Sequence, residues 1–247
     1  MPTSDTEFWV DISYDLLTPV KAQVLKGAGV KGVVQCLWAD GREQPPNRVI
    51  NLRNAEIGGL DIAGYVVVTP WSGITGAGHV QAGCRGIPQD LWNALLFVAI
   101  DVEVTGLTDV IVRGAVEALV ALGKSRVIYT SWNAWVNYFG NSLAFTDCLL
   151  WNAYWDGAPD VDFASLPFGG WKITQVLGEQ WSGGTNVGGT YADRNQFVTA
   201  LLRPQPVPDD PCALIKLRVK GLEETVRAAA DADWETVGRW AKFFGGV

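Results

Sequence analysis

The segment LLFVAIDVEV, residues 95–104, runs six apolar residues into Asp101 and, one valine later, Glu103. Read as a strand, this spacing puts both carboxylates on one side, roughly 6.5–7 Å apart along the chain. Two such charges repel, which is costly in a core and useful in a cleft. Two further acids stand at the ends of strand-like segments, Asp11 in WVDIS and Asp193 in TYADRN. Singly, an acid at such a place caps a turn as readily as it does chemistry. Crowded together, the four cannot all ionise freely, so one carboxyl is expected to keep its proton while another stays charged. Cleavage of a glycosidic bond needs that pairing: an acid protonates the leaving oxygen, and negative charge supports an oxocarbenium-like transition state. Clustered acids could instead hold Mg²⁺ or Ca²⁺ for phosphoryl chemistry. That use lacks the neighbouring Lys and Arg clamps that favour phosphate recognition, so no metal and no cofactor is expected.

The rest of the composition narrows the chemistry. One histidine, His79, stands in a chain of 247 residues, which disfavours multi-histidine zinc centres. A Ser-His-Asp triad would have to draw on that residue, inside the Gly-rich run GITGAGHVQAG. A net charge of −7 argues against a nucleic-acid partner. No apolar run reaches the roughly 18 residues of a membrane span, and MPTSDTEFW lacks the basic and apolar parts of a secretory signal. Cys36, Cys84, Cys148 and Cys212 are scattered without a C-x-x-C and read as buried free thiols. Of the twelve tryptophans, Trp38, Trp71, Trp132, Trp155 and Trp181 fall where strands give way to loops. Flat aromatic faces at such places suit sugar rings, although a large ring more often packs in a core.

Strands are read at 8–13, 30–38, 61–69, 95–104, 125–131, 146–155 and 170–178, and helices at 18–29, 48–60, 108–123 and 193–202, with one more around 88–94. Thr18 and Pro19 open the first helix in the manner of a cap and a first-turn proline. The stretch after the third strand and GGTNVGG at 183–189 read as Gly-rich loops. Alternation of this kind predicts an α/β fold, a parallel (β/α) barrel with helices reduced in its second half; a doubly wound open sheet is the other candidate. No G-x-G-x-x-G follows the first strand, so a dinucleotide site has little support. In such a barrel the site lies at the C-terminal strand ends. The barrel is expected over residues 1–203, then a Pro-rich linker at 204–211 and a mainly helical extension at 212–247. In the extension Leu222, Val226, Ala229, Val237, Trp240 and Phe244 recur at helical spacing, which reads first as a docked helix and otherwise as a dimerisation or wall-targeting element.

Over about residues 8–203 the sequence resembles the family 25 glycoside hydrolases, the Ch-type lysozymes. The matching pieces occur in order: DIS, NLRNAEIGGLDIAGYVVV, AIDVE, RVIYTS, LLWNAYW and YADRNQF. The resemblance implies a muramidase acting on bacterial cell-wall peptidoglycan, at the β-1,4 bond between N-acetylmuramic acid and N-acetylglucosamine. It makes Glu103 the proton donor, Asp101 the carboxylate assisting the substrate's acetamido group, and Asp11 and Asp193 the other pocket acids. Tyr65, Tyr129 and Trp151 match aromatic positions of the family, Asn195 belongs to the closing D-x-N-x-F, and Gln175 stands for the glutamine of its Trp-Gln-Tyr. With Trp38 and Trp71 these residues form the expected sugar-binding set. Asp40 in place of a glutamate, Val66 and Val67 in place of His-Phe, and the lost aromatics around Gln175 depart from the family around the sugar subsites. Without a secretory start, the expectation is a phage-type lysin, freed by lysis or a non-classical route or carried on a virion. The alternatives are a non-catalytic glycan-binding barrel, a glycosidase for another glycan, and a metal-dependent hydrolase.

Overall fold

The computed structural model describes residues 5–39, 47–71, 73–161 and 166–202. The chain divides into two units, Met1–Gln205 and Pro206–Val247. The expected linker and C-terminal helix, with Asp40 and Cys212, lie outside the described residues.

Eight strands close into a barrel in sequence order: β1 (Thr6–Ile12), β2 (Gly32–Ala39), β3 (Asp61–Val67), β4 (Leu95–Asp101), β5 (Val127–Thr130), β6 (Leu149–Ala153), β7 (Val176–Val187) and β8 (Thr190–Val198). The helices are α1 (Pro19–Gly27), α2 (Arg48–Ile57), α3 (Gly76–Cys84), α4 (Gln89–Ala94), α5 (Asp109–Ala121) and the single turn α6 (Thr199–Leu202). Thr18, Thr75 and Thr108 each accept a backbone N–H three residues on and so cap α1, α3 and α5. Among the described residues the links after β5 and β6 carry only one π-helical turn (Ala134–Tyr138) and one 3-10 turn (Ile173–Gln175). The expected thinning of helices in the second half is therefore present. No described helix is long and apolar enough to cross a membrane.

Three expectations are corrected. The barrel is not wholly parallel, because β8 runs antiparallel to both β1 and β7. The expected helix at 193–202 is mostly strand: Asp193, Asn195 and Phe197 alternate inward, and helix begins only at Thr199. The glycines of 183–189 extend β7 and turn into β8, and the first Gly-rich stretch holds α3. Gly76 is needed there because a Cβ on it would sit 1.8 Å from the Ile111 carbonyl oxygen of α5. Small residues let the two helices meet at the backbone.

Two apolar layers follow from strand alternation. Val10, Ile12, Val98, Ile100 and Val102 face outward to the helices, where Val112, Ala115, Val116 and Leu119 of α5 meet the same core. Inside the barrel, Trp9, Phe97, Trp151 and Phe197 form an aromatic plug, with neighbouring ring centroids 5.4–6.4 Å apart. Further along β1, β4 and β8, the inward positions change from aromatic Trp9, Phe97 and Phe197 to the polar Asp11, Asp101 and Asn195.

Candidate active site

Asp11 follows Trp9 on the inward face of β1 and stands opposite Asp193 of β8. Asp101 follows Phe97 and Ala99 on β4 and pairs with Tyr129 of β5. The plug thus forms a floor beneath a ring of acids at the C-terminal ends of the parallel strands. β4 ends at Asp101, so Glu103 sits two residues beyond it rather than on the same strand face. The segment carrying Glu103 is still held. Val102 donates its N–H to the Tyr129 carbonyl at 2.9 Å, and its own carbonyl accepts from Thr130 Oγ1 at 2.7 Å.

Neutral amides surround Asp11. Its Oδ2 accepts from Asn195 Nδ2 at 2.8 Å and from Gln180 Nε2 at 3.0 Å. The same Gln180 nitrogen reaches Asp193 Oδ2 at 3.2 Å, and Asp193 Oδ1 accepts the Gly184 N–H. Burial is the main cause that pushes Asp11 up to about 7; the Asp193 charge adds to it, and the two amide bonds oppose it. Glu103, half-buried, is raised by burial and then by the Asp193 charge. Asp193 is itself raised by burial, and the Gly184 N–H pulls it back. The arrangement thus raises the proton affinity of all three carboxyls above that of an exposed acid.

Tyr129 donates to Gln180 Oε1 at 2.6 Å, and its ring lies 4.5 Å from that of Trp151. Tyr65 shares a 2.7 Å hydrogen bond with Ser13 Oγ. Burial holds both phenols above their ordinary range, so they remain hydrogen-bonding hydroxyls.

Several expected sugar contacts have other roles. Trp151 and Asn195 are 1% and 0% exposed, so neither can meet a ligand directly. Trp151 donates to Asn195 Oδ1 at 3.0 Å, which turns the Asn195 amide nitrogen toward Asp11. Trp38 packs among the outer apolar layer, and its N–H is given to His79 Nδ1 at 3.2 Å. His79, buried, bonds the Thr69 carbonyl through Nε2 and joins β2, the segment after β3 and α3 as a structural residue. Gln175 precedes β7 at the opposite end of the barrel, where it bonds the backbone of Lys172 and Thr146. The glutamine in the mouth is Gln180, five residues later. Trp71, at 67% exposure, and Trp155, at 68%, both lie on segments that follow the C-terminal ends of strands.

Gln180, Ser13 and Gly184 were missed from the sequence. Gly178, which lies against inward Phe197, followed by Gln180 at period two is the signal that would have found the first. Among the described residues, carboxylate oxygens of Asp156, Asp160 and Glu179 come within 4.8 Å of one another. Asp156 and Asp160 are exposed, and Glu179 neighbours inward Gln180 on the strand and so faces away from the mouth. Cys36, Cys84 and Cys148 are free thiols.

No protein-family model matches the sequence, and no curated protein matches it either. Solved structures share its fold. A muramidase from Trichobolus zukalii is 22% identical, with a TM-score of 0.63 over 77% of this chain and 93% of that one. A family GH25 lysozyme from Aspergillus fumigatus is 21% identical, with a TM-score of 0.65 over 80% of this chain and 98% of that one. A bacterial lysozyme from Streptomyces coelicolor is 19% identical, with a TM-score of 0.63 over 79% and 94%. The chain thus has the α/β-barrel fold of solved GH25 lysozymes.

Proposed function

We propose that the protein is a peptidoglycan hydrolase of the muramidase type, cleaving the β-1,4 bond between N-acetylmuramic acid and N-acetylglucosamine. The observation that carries this reading is Glu103, a half-buried carboxyl at the barrel mouth, raised by burial and by the charge of Asp193. Glu103 donates its proton to the leaving glycosidic oxygen as the bond to the anomeric carbon breaks. Asp101 assists the acetamido group of the substrate, and Asp11 and Asp193 supply negative potential beneath the developing positive charge. Trp71 and Trp155 offer exposed aromatic faces to the apolar sides of sugar rings. The solved lysozymes and muramidases that share this fold support the same reading.

Glu103→Gln keeps the shape of the side chain and removes its proton. We expect reducing-end release from purified cell walls to fall roughly 10²–10⁴-fold, with an unchanged circular dichroism spectrum. Mass spectrometry of wild-type products should show N-acetylmuramic acid at the new reducing end. Undiminished release by the variant removes Glu103 as the acid. Glycan retention on a column without any release by the wild type replaces the enzyme with a binding barrel.

A further inference from the structure

Gln180 is 3% exposed and uses both ends of its amide. Its Nε2 donates to Asp11 Oδ2 at 3.0 Å and to Asp193 Oδ2 at 3.2 Å. Its Oε1 accepts from Tyr129 OH at 2.6 Å and from Trp155 Nε1 at 2.7 Å. A primary amide has two donors and two acceptor sites, so this amide is fully used. Turned over, it would set its oxygen against two carboxylates and its nitrogen against two donors. One orientation is therefore enforced by four partners on four different segments.

We propose that Gln180 is a positioning residue that decides where protons sit among the mouth acids, holding the Oδ2 atoms of Asp11 and Asp193 as acceptors. This rests on the glycosidase reading for its use, though not for its chemistry. Asp11 Oδ2 already carries two donors, Gln180 and Asn195, so a proton on Asp11 belongs on Oδ1. Asp193 accepts an N–H on each oxygen, from Gln180 and Gly184, and such bonds favour its charged form against the burial that raises it. Its charge then adds to burial in raising Glu103. The groups facing this pair are Glu103 beyond β4, Asp101 on β4, Tyr65 on β3, Tyr129 on β5 and the Cys36 thiol on β2. Trp155 extends the arrangement to the surface. Its ring is exposed, yet its N–H points inward and fixes the Gln180 oxygen.

The test removes the donors and reads the acids directly. In Gln180→Leu, carboxyl ¹³C NMR titration should place Asp11 and Asp193 about one pH unit higher than in wild type. Trp155→Phe, which keeps an aromatic ring and loses the N–H, should shift both the same way by less. On purified peptidoglycan the acidic limb of kcat should rise with the titrations, while KM changes less than about threefold. Should Gln180→Leu fail to fold, Trp155→Phe carries the test alone. Unmoved Asp11 and Asp193 titrations in the folded variants overturn the proposal, as does a uniform loss of rate with both pH limbs in place. Shifted titrations in a protein that releases no reducing ends uphold Gln180 and overturn the glycosidase reading instead.

Discussion

At the scale of single residues, the candidate site is a set of acids whose ionisation is arranged by unlike neighbours. Glu103 has burial and the Asp193 charge raising it, while Asp193 has a backbone N–H opposing its own burial. Asp193→Asn tests that asymmetry. Asparagine keeps an oxygen for the Gly184 N–H but carries no charge, so Glu103 should lose its proton more easily. A raised carboxyl acting as an acid is active below its pKa. Lowering that pKa must therefore move the alkaline limb of the activity profile toward acid, by roughly one pH unit. A limb that stays in place would assign the raising of Glu103 to burial alone. Asp11, Asp101, Glu103 and Asp193 were legible in the sequence as acids at or just beyond strand ends, because strand alternation carries the inward face from the plug to the mouth within one or two steps. Gln180 was not. Amides bear no charge, and the tempting glutamine was Gln175, which the 3-10 turn places before the strand begins. Nor could spacing reveal that Trp151 and Asn195 are covered, since burial depends on the aromatic neighbours that other strands bring.

At the scale of elements, the first five strands and, α3 excepted, the helices between them were readable, because each apolar run and each capped amphipathic stretch declares its period locally. The misread elements are those whose identity depends on a distant partner. DRNQFV, the start of the stretch read as helical at 193–202, becomes a strand because β1 and β7 flank it with open hydrogen-bonding edges. The Gly-rich stretch looked like a loop since glycine weakens an isolated helix, yet α3 forms against α5, where only glycine permits the approach. Replacing Gly76 by alanine drives a methyl into the Ile111 carbonyl and the Ala115 N–H. The obstacle is backbone and cannot rotate away. We expect a loss of about 1–3 kcal/mol in urea unfolding, whereas Gly123→Ala, at a glycine that meets nothing, loses only what its positive φ costs. Equal losses at the two positions would show that the α3–α5 contact yields.

At the scale of the whole molecule, a pocket that holds protons at neutral pH carries a cost in stability. In an unfolded chain Asp11 titrates near the ordinary aspartate value, about 3.9; in the fold it is pushed up to about 7. The native state therefore binds more protons than the unfolded state between those values, and stability must fall as pH rises through that window. Below it both states are protonated and the cost is absent; above it the cost is complete. Asp11→Asn removes the charge while its oxygen can still accept from Gln180 and Asn195. The variant should match wild type at pH 3.5 and exceed it at pH 8 by roughly 4 kcal/mol, on the order of ten degrees in melting temperature. Activity should move the opposite way, because the negative potential that burdens the fold is the same potential proposed to steady the cationic sugar. Melting temperatures that differ by a constant amount from acid to alkaline pH would mean that Asp11 titrates normally, and that the barrel closes over its acids without strain. A gain confined to the alkaline side would tie the marginal stability of this barrel to the chemistry at its mouth.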